Sequence, residues 1–163
     1  MFPGELQALA SAVLAKAGTA SMRIAAAETC TAGLLSACLT SVPGASQVFE
    51  RGFTLYHESA KATGLGVPEE VSRQHGAVSA QVTRALAEGA LRHSNAAISA
   101  AITGYAGPGG GNERDPVGTV YVAVARTGGP TVTERRVLDG DRDAVRMGAV
   151  AAALQLLVDQ LNS

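Results

Sequence analysis

Apolar residues recur along the chain at two spacings, which predict the order of its helices and strands. Near the N-terminus, six residues follow the three- and four-residue steps of one helix face, and Gly18 is a natural end: Leu6, Leu9, Ala10, Val13, Leu14 and Ala17. Short runs rich in apolar or β-branched residues predict strands over 22–27, 48–56, 96–103, 117–125 and 131–138. The sequence Thr-Gly-Gly-Pro at 127–130 predicts a hairpin between the last two strands.

Further helices are predicted between and after these strands. One helix spans 31–40, with Leu34, Leu35, Cys38 and Leu39 on one face, and a short one follows at 59–65. Another begins at Pro68, with the proline in its first turn. Ser79 caps a helix that ends near His93, and Asp141 or Asp143 caps the last helix, which ends near Leu161. The order predicts an α/β fold, a three-layer α/β/α sandwich with a mixed sheet, as a single domain over residues 1–163.

Composition and charge narrow the class of protein. Of 163 residues, 47% are hydrophobic and 17% are charged, which is typical of a globular domain. The net charge of -1 disfavours a nucleic-acid partner, although Arg135 with Arg136, or Arg142 with Arg146, can meet one phosphate. No apolar run reaches the roughly 20 residues of a membrane span, and no signal peptide is visible. We therefore expect a cytoplasmic protein with no membrane partner.

The cysteines and histidines predict neither a disulfide nor a metal centre. Cys30 and Cys38 would be separated by about 12 Å of helix rise, whereas a disulfide requires Cα atoms closer than about 7 Å. The three histidines are far apart in sequence, and no Cys-x-x-Cys or His-x-x-x-His pair exists. We expect reduced thiols and no metal.

The segment Glu28-Thr29-Cys30-Thr31, between a predicted strand and a predicted helix, is the first candidate for chemistry. Unpaired N–H groups at a helix start attract anions and can form an oxyanion hole beside a hydroxyl or thiol nucleophile. The alternative is that Thr29 or Thr31 is an N-cap and that Cys30 is a small core residue. This segment alone favours the second interpretation.

A glycine-rich stretch after the strand at 96–103 is the second candidate. Five glycines surround Pro108, where backbone N–H groups can form a nest for phosphate: Gly104, Gly107, Gly109, Gly110 and Gly111. It matches neither the Walker loop nor the dinucleotide fingerprint. A flexible turn is the alternative, but the entropic cost of five glycines favours a binding loop.

Tyr56 and Lys61 form a third, weaker signal. A desolvated lysine beside a tyrosine and a hydroxyl can relay a proton and act as a base. A strand-end tyrosine and a surface lysine are the commoner arrangement.

Together these segments resemble the CinA C-terminal domain family, which includes the bacterial nicotinamide-nucleotide amidohydrolases. The resemblance rests on four stretches in the family's order: 25–67, 75–90, 101–124 and 138–146. It implies a stand-alone amidase domain that hydrolyses the carboxamide of nicotinamide mononucleotide in pyridine-nucleotide salvage, without cofactor or metal. The apolar helix faces and the resemblance together predict a homo-oligomer.

The resemblance implies a set of site residues. Thr29 would be the nucleophile, with Lys61 and Tyr56 as the proton relay. The substrate would contact residues of the first turn, the glycine-rich loop and the last helix: Cys30, Thr31, Gly33, Thr103, Gly104, Tyr105, Gly107, Gly109, Gly110 and Arg142. Among these, Arg142 and the 107–111 loop would hold the phosphate, Thr103 would orient the amide, and Tyr105 could stack on the ligand ring.

Thr29 departs from the family pattern and leaves three hypotheses open. The family motif reads Glu-Ser-Cys-Thr-Gly-Gly, so Thr29 replaces the serine and Ala32 replaces a glycine. Threonine keeps the hydroxyl but adds a methyl group that stiffens χ1. The chain is then either an amidohydrolase or a degenerate protein that binds a nucleotide without hydrolysing it. A Cys30 nucleophile is a third option, disfavoured because no histidine lies nearby in sequence.

Overall fold

The strands have nearly the bounds that hydrophobic periodicity predicts. The computed structural model describes residues 1–163. It contains five strands: β1 (Ile24–Glu28), β2 (Phe49–Thr54), β3 (Ile98–Gly104), β4 (Thr119–Arg126) and β5 (Val132–Val137). They form one sheet in the order β2-β1-β3-β4-β5. β1 is parallel to β2 and β3, whereas β4 is antiparallel to β3 and β5, so the predicted hairpin and mixed sheet are confirmed.

Six α-helices connect and cover these strands: α1 (Gly4–Thr19), α2 (Leu34–Thr40), α3 (Ala60–Leu65), α4 (Glu69–His75), α5 (Ala80–Arg92) and α6 (Arg142–Leu161). A 3-10 helix spans Ala45–Gln47. Two predicted caps are confirmed by hydrogen bonds: Ser79 accepts from the Val82 amide at the start of α5, and Asp141 accepts from the Ala144 amide at the start of α6.

The two faces of the sheet bury two separate cores, because successive side chains of a strand point to opposite faces. On one face, Ile24, Ala26 and Ala100 pack with α1, α2 and α6 in the larger core. On the other, Ala25 and Ala101 pack with the smaller core around α5. Helices therefore cover both faces, and the predicted three-layer α/β/α sandwich is confirmed.

One predicted helix start is wrong. α2 begins at Leu34, not at residue 31, and its N-cap is Gly33, whose φ of 104° is left-handed. Neither Thr29 nor Thr31 caps this helix. Residues 29–33 instead form a separate turn between β1 and α2, which we call the 29–33 turn.

No uninterrupted apolar run of about 20 residues occurs, but one helix approaches the length and composition of a membrane span. α6 has 20 residues and is apolar enough to cross a membrane by length and composition. One face of α6, including Val145, Ala149 and Leu157, is however fully buried in the core against β3, β4 and α1. This is the packing of a core helix.

Candidate active site

A cleft of about 310 Å³ lies where the carboxyl ends of the three parallel strands meet. β1 leads into the 29–33 turn, β2 leads to Tyr56 and Lys61, and β3 leads into the glycine-rich loop. Parallel strands direct their carboxyl ends to one edge of a sheet, and this edge is where open α/β folds bind ligands. The strand order therefore brings together the three segments that the sequence analysis identified as candidates for chemistry.

Most of the predicted site residues line this cleft. Nine of them do so: Thr29, Cys30, Tyr56, Lys61, Gly104, Tyr105, Gly107, Gly109 and Arg142. The structure places the other four outside the lining. Thr31 and Gly33 bond the Glu28 carboxylate, and the hydroxyl of buried Thr103 lies 2.8 Å from that of Thr83. At Gly110, an added Cβ atom would come within 3.3 Å of the Tyr105 ring.

The 29–33 turn is built around Glu28, which is fully buried at the end of β1. The Glu28 carboxylate accepts hydrogen bonds from the Thr31 hydroxyl at 2.6 Å and from the amides of Gly33, Leu35 and Ser36 at 3.1, 3.0 and 2.9 Å. It also accepts from the Ser36 hydroxyl at 2.8 Å. The amides at the start of α2 are therefore occupied by a side chain of the protein.

Thr29 reaches the cleft, but its hydroxyl already has a partner. Its Oγ1 donates to the Ile102 carbonyl at 3.0 Å, and the residue is only 8% exposed. The next two amides in the chain, those of Cys30 and Thr31, donate to no carbonyl or side-chain acceptor. Cys30 lines the cleft, whereas Thr31 is fully buried outside its lining, so of these two amides only that of Cys30 belongs to a residue that a ligand in the cleft can touch.

Cys30 lies against β3 and is a poor nucleophile. A Cβ atom at Gly104 would come within 3.2 Å of Cys30 Sγ and 2.7 Å of Val120, so only glycine allows this close approach. Burial raises the pKa of the Cys30 thiol to about 11. Because the thiolate is the reactive form, this disfavours the Cys30 hypothesis.

Lys61 is buried in the cleft wall with a carboxylate partner. Its Nζ donates to Glu58 at 2.9 Å and to the Ala77 carbonyl at 3.3 Å, and the residue is 5% exposed. Burial alone would raise the pKa of Glu58, but hydrogen bonds with Ser72 and Lys61 and the charge of Lys61 hold it below its usual value. Glu58 and Lys61 thus form a close pair in the wall of the cleft.

The glycine-rich loop is anchored by Asp115, which is fully buried. Asp115 accepts hydrogen bonds from Tyr121 at 2.9 Å, Arg135 at 3.0 Å and Arg114 at 3.2 Å. Burial alone would raise the pKa of Asp115, but these hydrogen bonds hold it below its usual value. The loop is thus tied to β4 and β5 rather than free in solvent.

Two arginines of α6 link the cleft segments to one another. Arg142 donates to the Gly107 carbonyl at 2.7 Å and to the Tyr56 hydroxyl at 2.9 Å, joining the glycine-rich loop to the segment after β2. Arg146 donates to the carbonyls of Cys30 and Thr31 at 3.0 and 3.3 Å. Both guanidinium groups keep further N–H donors for an anionic ligand.

Sequence reasoning missed the roles of Glu28 and Glu58. The sequence pattern ends the first strand at Ala27, so Glu28 is not recognised as a core residue. In the sequence alone, a carboxylate whose hydrogen-bond partners are unknown cannot be distinguished from an ordinary exposed polar residue. Glu58, three residues before Lys61, has the spacing of a helical ion pair, and that spacing was an available signal.

The family scan matches the CinA C-terminal domain over residues 6–161, and the chain belongs to this family. Nicotinamide-nucleotide amidohydrolase PncC from Escherichia coli is 47% identical over 137 residues, covering 84% of this chain and 83% of that protein. A CinA-like protein from Myxococcus xanthus is 43% identical over 161 residues, covering 99% of this chain but 38% of that protein. The chain thus spans well under half of such longer relatives.

Solved structures show the same architecture. The competence/damage-inducible protein CihA from Agrobacterium tumefaciens superposes with a TM-score of 0.95 at 38% identity, covering 100% of this chain and 99% of that chain. The protein ComA from Klebsiella pneumoniae superposes with a TM-score of 0.92 at 32% identity, covering 96% and 97%.

Proposed function

We propose that this chain hydrolyses the carboxamide of nicotinamide mononucleotide to nicotinate mononucleotide and ammonia, in pyridine-nucleotide salvage. The observation that carries the proposal is the single cleft that holds Thr29, Lys61, Tyr56, the glycine-rich loop and Arg142. The 47% identity to the amidohydrolase PncC supports it. A cleft of about 310 Å³ is in the range of small-ligand sites.

The proposed reaction is acyl transfer through Thr29. Its Oγ1 leaves the Ile102 carbonyl, gives its proton to a base and attacks the carboxamide carbon. The unpaired amide of Cys30 stabilises the oxyanion. The C–N bond then breaks, the nitrogen takes up a proton and leaves as ammonia, and water hydrolyses the resulting ester to restore Thr29.

Lys61 is the proposed base, and this role requires its neutral form. In the structure its Nζ lies 2.9 Å from the Glu58 carboxyl group. Arginine at this position would keep the charge but could not accept a proton, because it stays protonated at neutral pH. We expect Lys61→Arg to lose as much activity as Lys61→Ala. Substantial activity in Lys61→Arg alone would assign Lys61 to charge stabilisation instead.

A second candidate function is nucleotide binding without hydrolysis. The buried hydrogen bond from Thr29 to the Ile102 carbonyl favours it, because this bond must break before the hydroxyl can attack, and the extra methyl group restricts rotation of χ1.

An ammonia-release assay on nicotinamide mononucleotide, paired with calorimetry, tests both functions. The amidohydrolase predicts ammonia release by the wild type, loss in Thr29→Ala, and retained or increased activity in Thr29→Ser. Thr40→Ala is the control, since Thr40 is exposed on α2 and bonds only its own helix. Binding without ammonia release would support the second candidate, and neither binding nor release would reject both.

A further inference from the structure

Glu28 is the one fully buried carboxylate at the cleft edge of the sheet that the proposed chemistry does not use. It accepts five hydrogen bonds from four residues, all within the eight residues that follow it. No lysine or arginine lies within salt-bridge distance. Burying a polar group costs free energy of folding unless its hydrogen bonds are made, so these five bonds must form together as the protein folds.

These bonds determine the path of the chain on both sides of the nucleophile. Glu28 precedes Thr29 directly, and its carboxylate bonds residues of the turn and of the first turn of α2. The 29–33 turn contains two left-handed residues, Ala32 with φ 48° and Gly33 with φ 104°. Such a conformation persists only when its surroundings hold it. The Glu28 carboxylate holds it from the protein interior, and Arg146 holds the Cys30 and Thr31 carbonyls.

We propose that Glu28 is a positioning residue for amide hydrolysis, whose carboxylate holds the 29–33 turn so that Thr29 and Cys30 stay at the wall of the cleft. This inference rests on the proposed function. Because Glu28 already accepts hydrogen bonds from the amides at the start of α2, the proposed oxyanion donor lies in the turn and not in the helix. Glu28 itself touches no reacting atom.

Glu28→Gln is the sharpest test, because it preserves shape and removes only acceptor capacity. Oε1 accepts from the Ser36 amide and hydroxyl, while Oε2 accepts from Thr31, Gly33 and Leu35. Whichever oxygen becomes NH₂, at least two donors lose their acceptor. We expect kcat to fall about 100-fold, the cost of a small misplacement of a reacting group. We expect the Kd for nicotinamide mononucleotide to stay within about threefold, because the phosphate contacts lie elsewhere.

Ser99→Ala is the matched control for lost stability. Ser99 is fully buried on the other face of the sheet and donates to the Ala87 carbonyl at 2.6 Å. Removing this bond lowers stability without touching the turn. An equal kcat for Glu28→Gln and Ser99→Ala, both measured well below their Tm, would overturn the proposal.

Two milder variants keep the test decisive if Glu28→Gln does not fold. Ser36→Ala and Thr31→Val each remove one donor and leave the carboxylate in place. We expect each to reduce kcat by several-fold with little change in Kd. Wild-type kcat in both would show that the network does not position the nucleophile.

Alkylation of Cys30 provides a readout that does not depend on catalysis. Cys30 is half-buried in the turn, and Cys38 is fully buried and serves as an internal reference. A loosened turn should expose Cys30 and raise its labelling by iodoacetamide about tenfold in Glu28→Gln, as peptide mass mapping would measure. If the wild type releases no ammonia, the proposed function fails, and labelling still tests separately whether Glu28 holds the 29–33 turn. Unchanged labelling of Cys30 would then reject that role of Glu28.

Discussion

Ala32 is held in a backbone conformation that its side chain opposes. Its φ of 48° is left-handed, a region that costs a residue with a Cβ atom about 1 kcal/mol or more. We therefore predict that Ala32→Gly raises the free energy of unfolding by about 1 kcal/mol, despite the greater flexibility of unfolded glycine. Urea denaturation would measure the change.

Ala151→Gly is the control for this prediction. Ala151 lies within α6, where glycine is unfavourable by about 1 kcal/mol relative to alanine. The same substitution should therefore have opposite signs at the two positions. A loss of stability in Ala32→Gly would show that the positive φ is not the limiting strain.

Cys30 should be dispensable as a nucleophile. Burial raises the pKa of the Cys30 thiol to about 11, so the unreactive thiol form predominates at pH 8. We predict that Cys30→Ala keeps kcat within about threefold of the wild type in the ammonia-release assay, because Thr29 performs the attack. Loss of activity comparable to that of Thr29→Ala would restore the Cys30 hypothesis.

At the scale of the elements, periodicity was sufficient to order every helix and strand, because each element buries one face or one stripe against the sheet. The alanine-rich strands β1 and β3 were recognisable as short apolar runs bounded by polar turns. The start of α2 was misplaced because Glu28 supplies its N-terminal acceptor from another element. A sequence window that expects a capping side chain next to the helix cannot detect this arrangement.

The loop anchored by Asp115 should lose stability in acid. Hydrogen bonds hold the pKa of Asp115 below its usual value in the folded protein. The contribution of Asp115 to folding stability is therefore fully present above the unfolded pKa of about 3.9, and it is lost as pH falls through the lower folded pKa. We predict that Asp115→Asn costs about 2 kcal/mol at pH 7 and reduces the pH dependence of unfolding below pH 4. Chemical denaturation across this range measures both effects.

Tyr121→Phe separates the charge of Asp115 from one of its hydrogen bonds. It removes the 2.9 Å bond from the tyrosine hydroxyl and leaves both arginines in place. It should cost about 1 kcal/mol and keep most of the acid dependence. An acid profile of Asp115→Asn identical to that of the wild type would assign the dependence to other carboxylates.

For the whole molecule, the candidate site draws on residues that span most of the chain. The Tyr56 hydroxyl meets Arg142 across 86 positions of sequence, and Arg146 meets Cys30 across 116. Local patterns predicted the individual segments, but side-chain partners at such separations depend on how the layers pack. The homo-oligomer and the cytoplasmic location remain predictions.

Because segments of all three layers meet in the cleft, ligand binding should stabilise the entire fold. At 100 times its Kd, a ligand adds about 2.7 kcal/mol, which corresponds to a Tm increase of about 5–10 °C for a domain of this size. We predict this shift with nicotinamide mononucleotide, a similar shift in Thr29→Ala, and a much smaller one in Arg142→Ala at equal ligand concentration. Nicotinamide riboside, which lacks the phosphate, is the control ligand and should shift wild type and Arg142→Ala alike. Equal shifts of the two proteins with the mononucleotide would remove Arg142 from the phosphate site.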